Sequence, residues 1–350
     1  MDNKRKLVLI LAGICGLTSF LIVATIFTLR THRSESNRFN RADTIALAPV
    51  PQFNADSAME YVCIQCAFGP RTPNSQAHEQ CADWIVSKFA ALGATVEEQR
   101  TTLKGYDGTD YACRNIIARV NPDLIDRVVI GAHYDSRLWA DHDPNPANHH
   151  SPVMAANDGA SGVAVMLEMA RAIGQLPLSV GVDFVCFDLE DQGRPDWAEE
   201  PTDDELAERA DYWCLGSDYW ARQMAAQDYQ ARFGVVLDMV GGRDASFAME
   251  RYSKQVAVTL VNMVWHLADQ LGYGKYFPIS DGGYLMDDHI PMNAIAHIPT
   301  IDIVPYCPDA RSNFGETWHT TNDTPEHIDP EAMRAVGQTL LQLLYNDNDK

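Results

Sequence analysis

Three short stretches, far apart in the chain, hold the residue types that metal and acid–base chemistry require. His133 and Asp135 stand in Gly131-Ala-His-Tyr-Asp-Ser136, and Asp158 stands in Ala156-Asn-Asp-Gly-Ala-Ser-Gly162. Glu190 and Asp191 follow Phe187-Asp-Leu, and His319 lies in Thr317-Trp-His-Thr320. Zinc takes imidazole nitrogen and carboxylate oxygen, and a catalytic site keeps one position open for water or substrate. Asp158, Asp191 and His319 make a three-ligand set of that kind. His133 and Asp238 could complete a second site, with Asp158 bridging. Asp135, two residues beyond His133, is placed to accept the other N–H of that imidazole and so fix its tautomer. Glu190 beside Asp191 divides two roles between neighbours: one carboxylate binds metal while the other serves as general base and acid.

Such residues act together only if the fold gathers them. Strand candidates at 95–100, 115–120, 127–132, 182–189, 233–239 and 299–304 alternate with helical patterns. Asn54 and Ser57 offer an N-cap ahead of a helix carrying Met59, Tyr61 and Val62, and a second helix runs through Leu92 to end at Gly93. Further helices are expected at 162–173, 217–226, 254–271 and 330–345. The Val-Val-Ile run at 128–130 has the continuous apolar character of a strand buried on both faces. The fold class is therefore α/β, with a mostly parallel mixed β-sheet flanked by helices on both faces. The chemical residues fall at strand ends and in the loops that follow, where an open α/β sheet presents its ligands.

The 350-residue chain carries a net charge of −21, placed unevenly. Residues 1–41 hold seven Lys or Arg against two acidic residues, about +5, which leaves about −26 on the rest. A strongly acidic globular part repels phosphate backbones, so nucleic acid is not an expected partner. Leu7 to Leu29 is a run of 23 residues without charge, preceded by Lys4-Arg5-Lys6. It is long enough to cross a bilayer as a helix and lacks the small-residue cleavage site of a signal peptide. We expect an N-terminal signal-anchor or transmembrane segment at 1–29, a linker at 30–52, and a catalytic domain at 53–350 on the extracytoplasmic side of a membrane.

Seven cysteines lie beyond that segment. Cys186, inside an apolar strand, reads as a small buried hydrophobe, and Cys63-Ile-Gln-Cys66 as helical cysteines without metal. His142, His149 and His150, in a loop of Asp, Asn and Pro, read as solvated histidines. Trp139, Trp213, Trp220 and Trp265 are expected in the core.

The pattern resembles the zinc-dependent exopeptidase superfamily and, within it, the bacterial glutaminyl-peptide cyclotransferases, over roughly residues 53 to 345. The His-Tyr-Asp-Ser stretch, Asp158 and Glu190-Asp191 are shared with two-zinc aminopeptidases. The cyclotransferase branch is marked by Phe187-Asp-Leu-Glu-Asp-Gln-Gly193, the Trp197 loop and Gly216-Ser-Asp-Tyr-Trp220. It is marked further by Asp287-Asp288 before His289-Ile-Pro and by Trp318 immediately before His319. The resemblance implies one zinc on Asp158, Asp191 and His319, and Glu190 as the group that takes a proton from the α-amine of an N-terminal glutamine. The products are pyroglutamate and ammonia, and the partners are peptide or protein N-termini bearing Gln. It implies a carboxylate relay of Glu190, Asp238 and Asp287, and a pocket walled by Trp197 and Trp318 with Leu285 and Phe314. It also implies a cis peptide after Asp158, which Gly159 would ease. The alternative is an aminopeptidase with two zincs, the second held by His133, Asp158 and Asp238.

Overall fold

The computed structural model describes residues 45–198, 212–243 and 245–346. The apolar run at 7–29 and most of the linker lie outside the described residues. Among the described residues no helix is long and apolar enough to cross a membrane.

Six strands form one sheet: β1 (Thr95–Lys104), β2 (Asp110–Val120), β3 (Arg127–His133), β4 (Gly181–Phe187), β5 (Gly234–Leu237) and β6 (Thr300–Ile303). Their order across the sheet is β1-β2-β4-β3-β5-β6. β4, β3, β5 and β6 run parallel, while β1 and β2 add antiparallel pairs at one edge. Every residue of β3 and β4 is buried, as in strands covered on two sides, and the charges they carry at Arg127 and Asp183 pair with each other.

Among the described residues seven helices accompany the sheet: α1 (Ala55–Ala67), α2 (Gln76–Ala91), α3 (Ala160–Ile173), α4 (Leu215–Ala226), α5 (Arg251–Gln270), α6 (His289–Ala294) and α7 (Pro330–Tyr345). Successive strand side chains point to opposite faces. Val129 of β3, Val185 of β4 and Val236 of β5 pack with Trp220 and Met224 of α4 and Met292 of α6. On the other face α3 lies against β3, and α1 and α7 pack on α3. A Cβ on Gly162 of α3 would meet Leu237 O at 2.4 Å and Ala132 Cβ at 2.8 Å, so only glycine lets this helix sit so close to the strand ends.

The expected elements are present within a few residues at their ends, with two additions. β1 and β2 form one long hairpin, registered from Thr95 opposite Arg119 to Lys104 opposite Asp110 and turning at Asp107-Gly108. The short helix α6, beginning at His289, was not expected, because a six-residue helix in a Gly-rich region has too little periodicity to register. Residues 48–52, expected in the linker, lie along α7: Ala48 N–H donates to Asn346 Oδ1 at 2.9 Å, and Gln338 Nε2 donates to Pro51 O at 3.3 Å.

Candidate active site

The parallel strands deliver their carboxyl ends to one edge of the sheet. β3 and β5 are neighbours whose onward connections run in opposite directions, to β4 and to β6, and such a reversal opens a crevice beyond the strand ends. β3 ends on His133, β4 leads into Glu190-Asp191, and β5 leads into Asp238. Asp158 enters from the loop before α3, Asp287 from the loop before α6, and His319 from the loop after β6.

Asp158 is the meeting point. Its Oδ1 lies 3.1 Å from His133 Nε2 and its Oδ2 lies 3.6 Å from His319 Nε2. His319 Nε2 is 2.9 Å from Asp191 Oδ1, and His133 Nε2 is 3.2 Å from Asp238 Oδ1. Two groups result, Asp158–Asp191–His319 and His133–Asp158–Asp238, each with its ligand atoms within 4.8 Å of one another. The buried Oδ2 atoms of Asp158 and Asp191 find no hydrogen-bond donor. Buried carboxylate oxygens are costly without a donor or a cation, so both the donor set and these orphaned atoms fit a divalent metal such as zinc.

Gly159 caps α3 at φ +104°, where an L side chain is strained, and a Cβ there would meet Asp135 O at 2.9 Å. The peptide after Asp158 is trans, which corrects the expected cis bond. The positive φ of Gly159 makes the turn instead. Asp135 is fully buried and holds the other side of the site: it accepts from Glu190 N (3.2 Å), Asp191 N (3.3 Å) and Gln192 Nε2 (2.9 Å). His133 Nδ1 faces its Oδ1 at 3.5 Å, with no hydrogen-bond partner of its own among the described residues. Burial works against protonation of His133, but Asp135, Asp158 and Asp238 outweigh it and raise its pKa well above the ordinary value.

Glu190 stands in a crowd of carboxyl groups. With Cys214 and Asp287 it forms a third buried group of potential ligand atoms, and Asp288 adds another buried carboxyl. Burial raises the Glu190 pKa well above the carboxylate range; His133 opposes this, while Asp191, Asp287 and Asp288 reinforce it. Burial, and then Asp238, push Asp287 up to about 7. Carboxyl groups so arranged share protons instead of ionising together.

The aromatic surroundings differ in part from expectation. Trp318 stacks on His319 with ring centroids 3.7 Å apart, and Phe314 lies 4.9 Å from Trp318. Leu285 is buried immediately before Met286-Asp287. Trp213, expected in the core, instead stacks over His319 at 5.9 Å and 15°. Trp197 is 40% exposed and packs on Trp139 and His150, so it belongs to an outer aromatic group. Trp139, also expected in the core, sits in that group with Tyr106, while Trp220 and Trp265 are buried as expected. The three loop histidines are not simply solvated. His142 lies 4.2 Å from Trp318, and His149 and His150 flank Trp197. Cys186 is fully buried in β4, and Cys63 and Cys66 lie on α1.

Residues unmarked by sequence reasoning also enter. Arg137 and Asp141, both buried, form a two-pronged ion pair beside Asp191 and His319. A basic and an acidic residue four apart, just past a strand-end histidine, were the available signal. Cys214 approaches Glu190, and Asp323 accepts from the backbone N–H groups of Asn157 (2.8 Å) and Asp158 (3.0 Å).

A buried two-histidine, many-carboxylate crevice at the switch point of a mixed α/β sheet defines a metal-dependent enzyme of the exopeptidase type. Residues 115–344 match Peptidase family M28, and the chain belongs to that family. The glutaminyl cyclase of Bacteroides thetaiotaomicron, solved with N-acetylhistamine, is 44% identical, with 85% of this chain and 100% of that chain covered and a TM-score of 0.81. The glutaminyl cyclase of Tannerella forsythia is 45% identical at the same coverage and TM-score. The aminopeptidase YwaD of Bacillus subtilis is 27% identical over 79% of this chain, and the alignment covers 54% of that relative's length.

Proposed function

We propose that this enzyme is a glutaminyl-peptide cyclotransferase, which closes an N-terminal glutamine of a peptide or protein to pyroglutamate with release of ammonia. The observation that carries the reading is the position of Glu190, between ligand candidate Asp191 and the buried carboxyl groups of Asp287 and Asp288. The likeness to two bacterial glutaminyl cyclases over their full length supports it.

In this reading Asp158, Asp191 and His319 hold one zinc, with His133 and Asp135 behind them. Bound there, the metal supplies a Lewis acid for the side-chain amide carbonyl of the substrate. Glu190 accepts a proton from the α-amine as the amine nitrogen attacks the side-chain amide carbon. It returns that proton to the departing nitrogen, so one C–N bond forms, one breaks and ammonia leaves. Asp287 and Asp238, crowded against Glu190 and His133, keep a proton shared nearby, which lets Glu190 change state without charge entering from solvent. Trp318, Trp213 and Phe314 exclude water from around His319, and Leu285 adds an apolar wall.

The second reading, a two-zinc aminopeptidase, draws on the geometry of His133, Asp158 and Asp238 and on the likeness to YwaD. Incubation with a Gln-initiated peptide separates the two readings, since cyclisation leaves the peptide bond intact and hydrolysis frees glutamine. The basic flank and apolar run at 1–29 suit an anchor that would hold the domain outside the cytoplasm, close to exported substrates.

A further inference from the structure

We infer that Arg137 and Asp141 form a positioning pair that holds Asp191 and His319 in ligating posture and so sets the metal affinity of the site. The inference rests on the ligand assignment proposed above for those two residues.

Arg137 lies in the loop beyond β3 and is 1% exposed. A buried guanidinium persists only where its donors are met, and here they converge on the candidate ligands. Nε and Nη2 donate to the two carboxylate oxygens of Asp141 at 2.7 and 2.5 Å, the bidentate geometry that a guanidinium matches and an ammonium does not. Nη1 donates to the backbone carbonyls of Asp191 (3.0 Å) and Gly193 (3.3 Å), and lies 3.8 Å from Asp191 Oδ1. Asp191 is thus pinned at both ends of its backbone, since its N–H goes to Asp135.

Asp141 carries the other half. His319 turns Nε2 toward Asp191 and Asp158, so an imidazole that ligates through Nε2 keeps its proton on Nδ1. Asp141 Oδ1 faces that Nδ1 at 3.6 Å, and no side chain among the described residues hydrogen-bonds it. The fork from Arg137 fixes which way Asp141 points. The Arg137 guanidinium also lies 4.8 Å from the Trp213 ring, which stacks on His319 as well. One cation therefore bears on His319 twice, through a carboxylate and through an indole. It bears on Asp191 directly. A purely structural ion pair has no reason to be directed at two ligand candidates, and it would stabilise the fold equally with and without zinc.

The test is zinc affinity measured without reference to turnover. Full-length protein stripped by a chelator is titrated with zinc against a competing metal dye, for wild type, Asp141→Asn and Arg137→Lys. Loss of such a supporting group weakens metal binding by roughly 10- to 100-fold. Both variants should show this, with a smaller rise in melting temperature on adding zinc than wild type shows, on top of whatever zinc-free loss the broken buried pair brings. Wild-type zinc affinity in a folded Asp141→Asn would overturn the proposal, as would equal thermal losses with and without zinc. If Asp141→Asn does not fold, Arg137→Lys, which keeps the buried charge but not the fork, decides on the same readout. His319→Ala is the control: zinc retained there means that the ligand assignment has failed, not the positioning pair. Wild type that binds zinc but makes no pyroglutamate would remove the cyclisation reading and leave this inference standing.

Discussion

The Cys214 thiol meets the carboxyl group of Glu190 at 3.4 Å, and the backbone N–H of Cys214 donates to Glu190 O at 2.9 Å. Cys214 itself takes a left-handed backbone conformation, φ 56° and ψ 34°, to make this return. Glu190 is thus held by side chain and backbone at once. Replacing it by Gln keeps the shape and removes the proton acceptor. We expect Glu190→Gln to keep its zinc and to lose roughly 10²- to 10⁴-fold in kcat, measured by steady-state kinetics beside metal analysis. A wild-type kcat would take Glu190 out of the reaction.

His319 shares its Nε2 with Asp191 at 2.9 Å and with Asp158 at 3.6 Å. In the proposed centre it is the only nitrogen ligand. His319→Ala should therefore lose metal through dialysis and lose the thermal stabilisation that zinc gives a site it binds. Stoichiometric zinc in the dialysed variant would contradict the assignment.

Trp213 stacks over His319 on one side and lies over Arg137 on the other. Aromatic contacts of this kind contribute about 0.5–1.5 kcal/mol beyond area burial. Trp213→Ala should raise KM for a Gln-initiated peptide by about two- to tenfold at that energy, with a smaller change in kcat. If only the melting temperature falls and KM holds, Trp213 returns to the core role first expected of it.

Glu250 caps α5, accepting from Tyr252 N at 2.8 Å and Ser253 N at 2.5 Å, with His289 Nε2 at 3.4 Å. Burial alone would raise its pKa, but His289 and then the two N–H groups outweigh it and lower it from 4.5 to about 2. A carboxyl lowered in the folded state adds stability that is present above the unfolded value and lost as pH falls through the folded one. Glu250→Gln should cost about 2 kcal/mol near neutral pH, and the gap from wild type should shrink between pH 4.5 and 2. Urea unfolding at several pH values checks this. A gap that is constant with pH would mean that the capping geometry matters and the charge does not.

What could be read from the chain followed from periodicity. His133, Glu190, Asp191 and Asp238 sit where continuous apolar runs stop, and parallel strands bring such stops to one edge, so their convergence was legible before any coordinates. Asp158 and His319 were legible only as residue types in turn-rich loops. Trp213, Cys214, Arg137 and Asp141 were not, because each owes its place to what the chain folds back onto. A tryptophan between Tyr212 and Cys214 carries no mark that separates a core position from a ligand's neighbour. An arginine carries none that says it will be buried. Trp197, which the resemblance placed in the pocket wall, packs on Trp139 and His150 and is 40% exposed.

The central claim is the reaction itself, and product mass tests it most directly. Purified protein is incubated with a Gln-initiated dipeptide and the products are followed by mass spectrometry, with zinc counted in the same preparation. Cyclisation gives a peptide lighter by one ammonia with its peptide bond intact, at one zinc per chain. Free glutamine together with the released second residue, at two zincs per chain, would contradict it and move His133 and Asp238 from supporting groups to ligands.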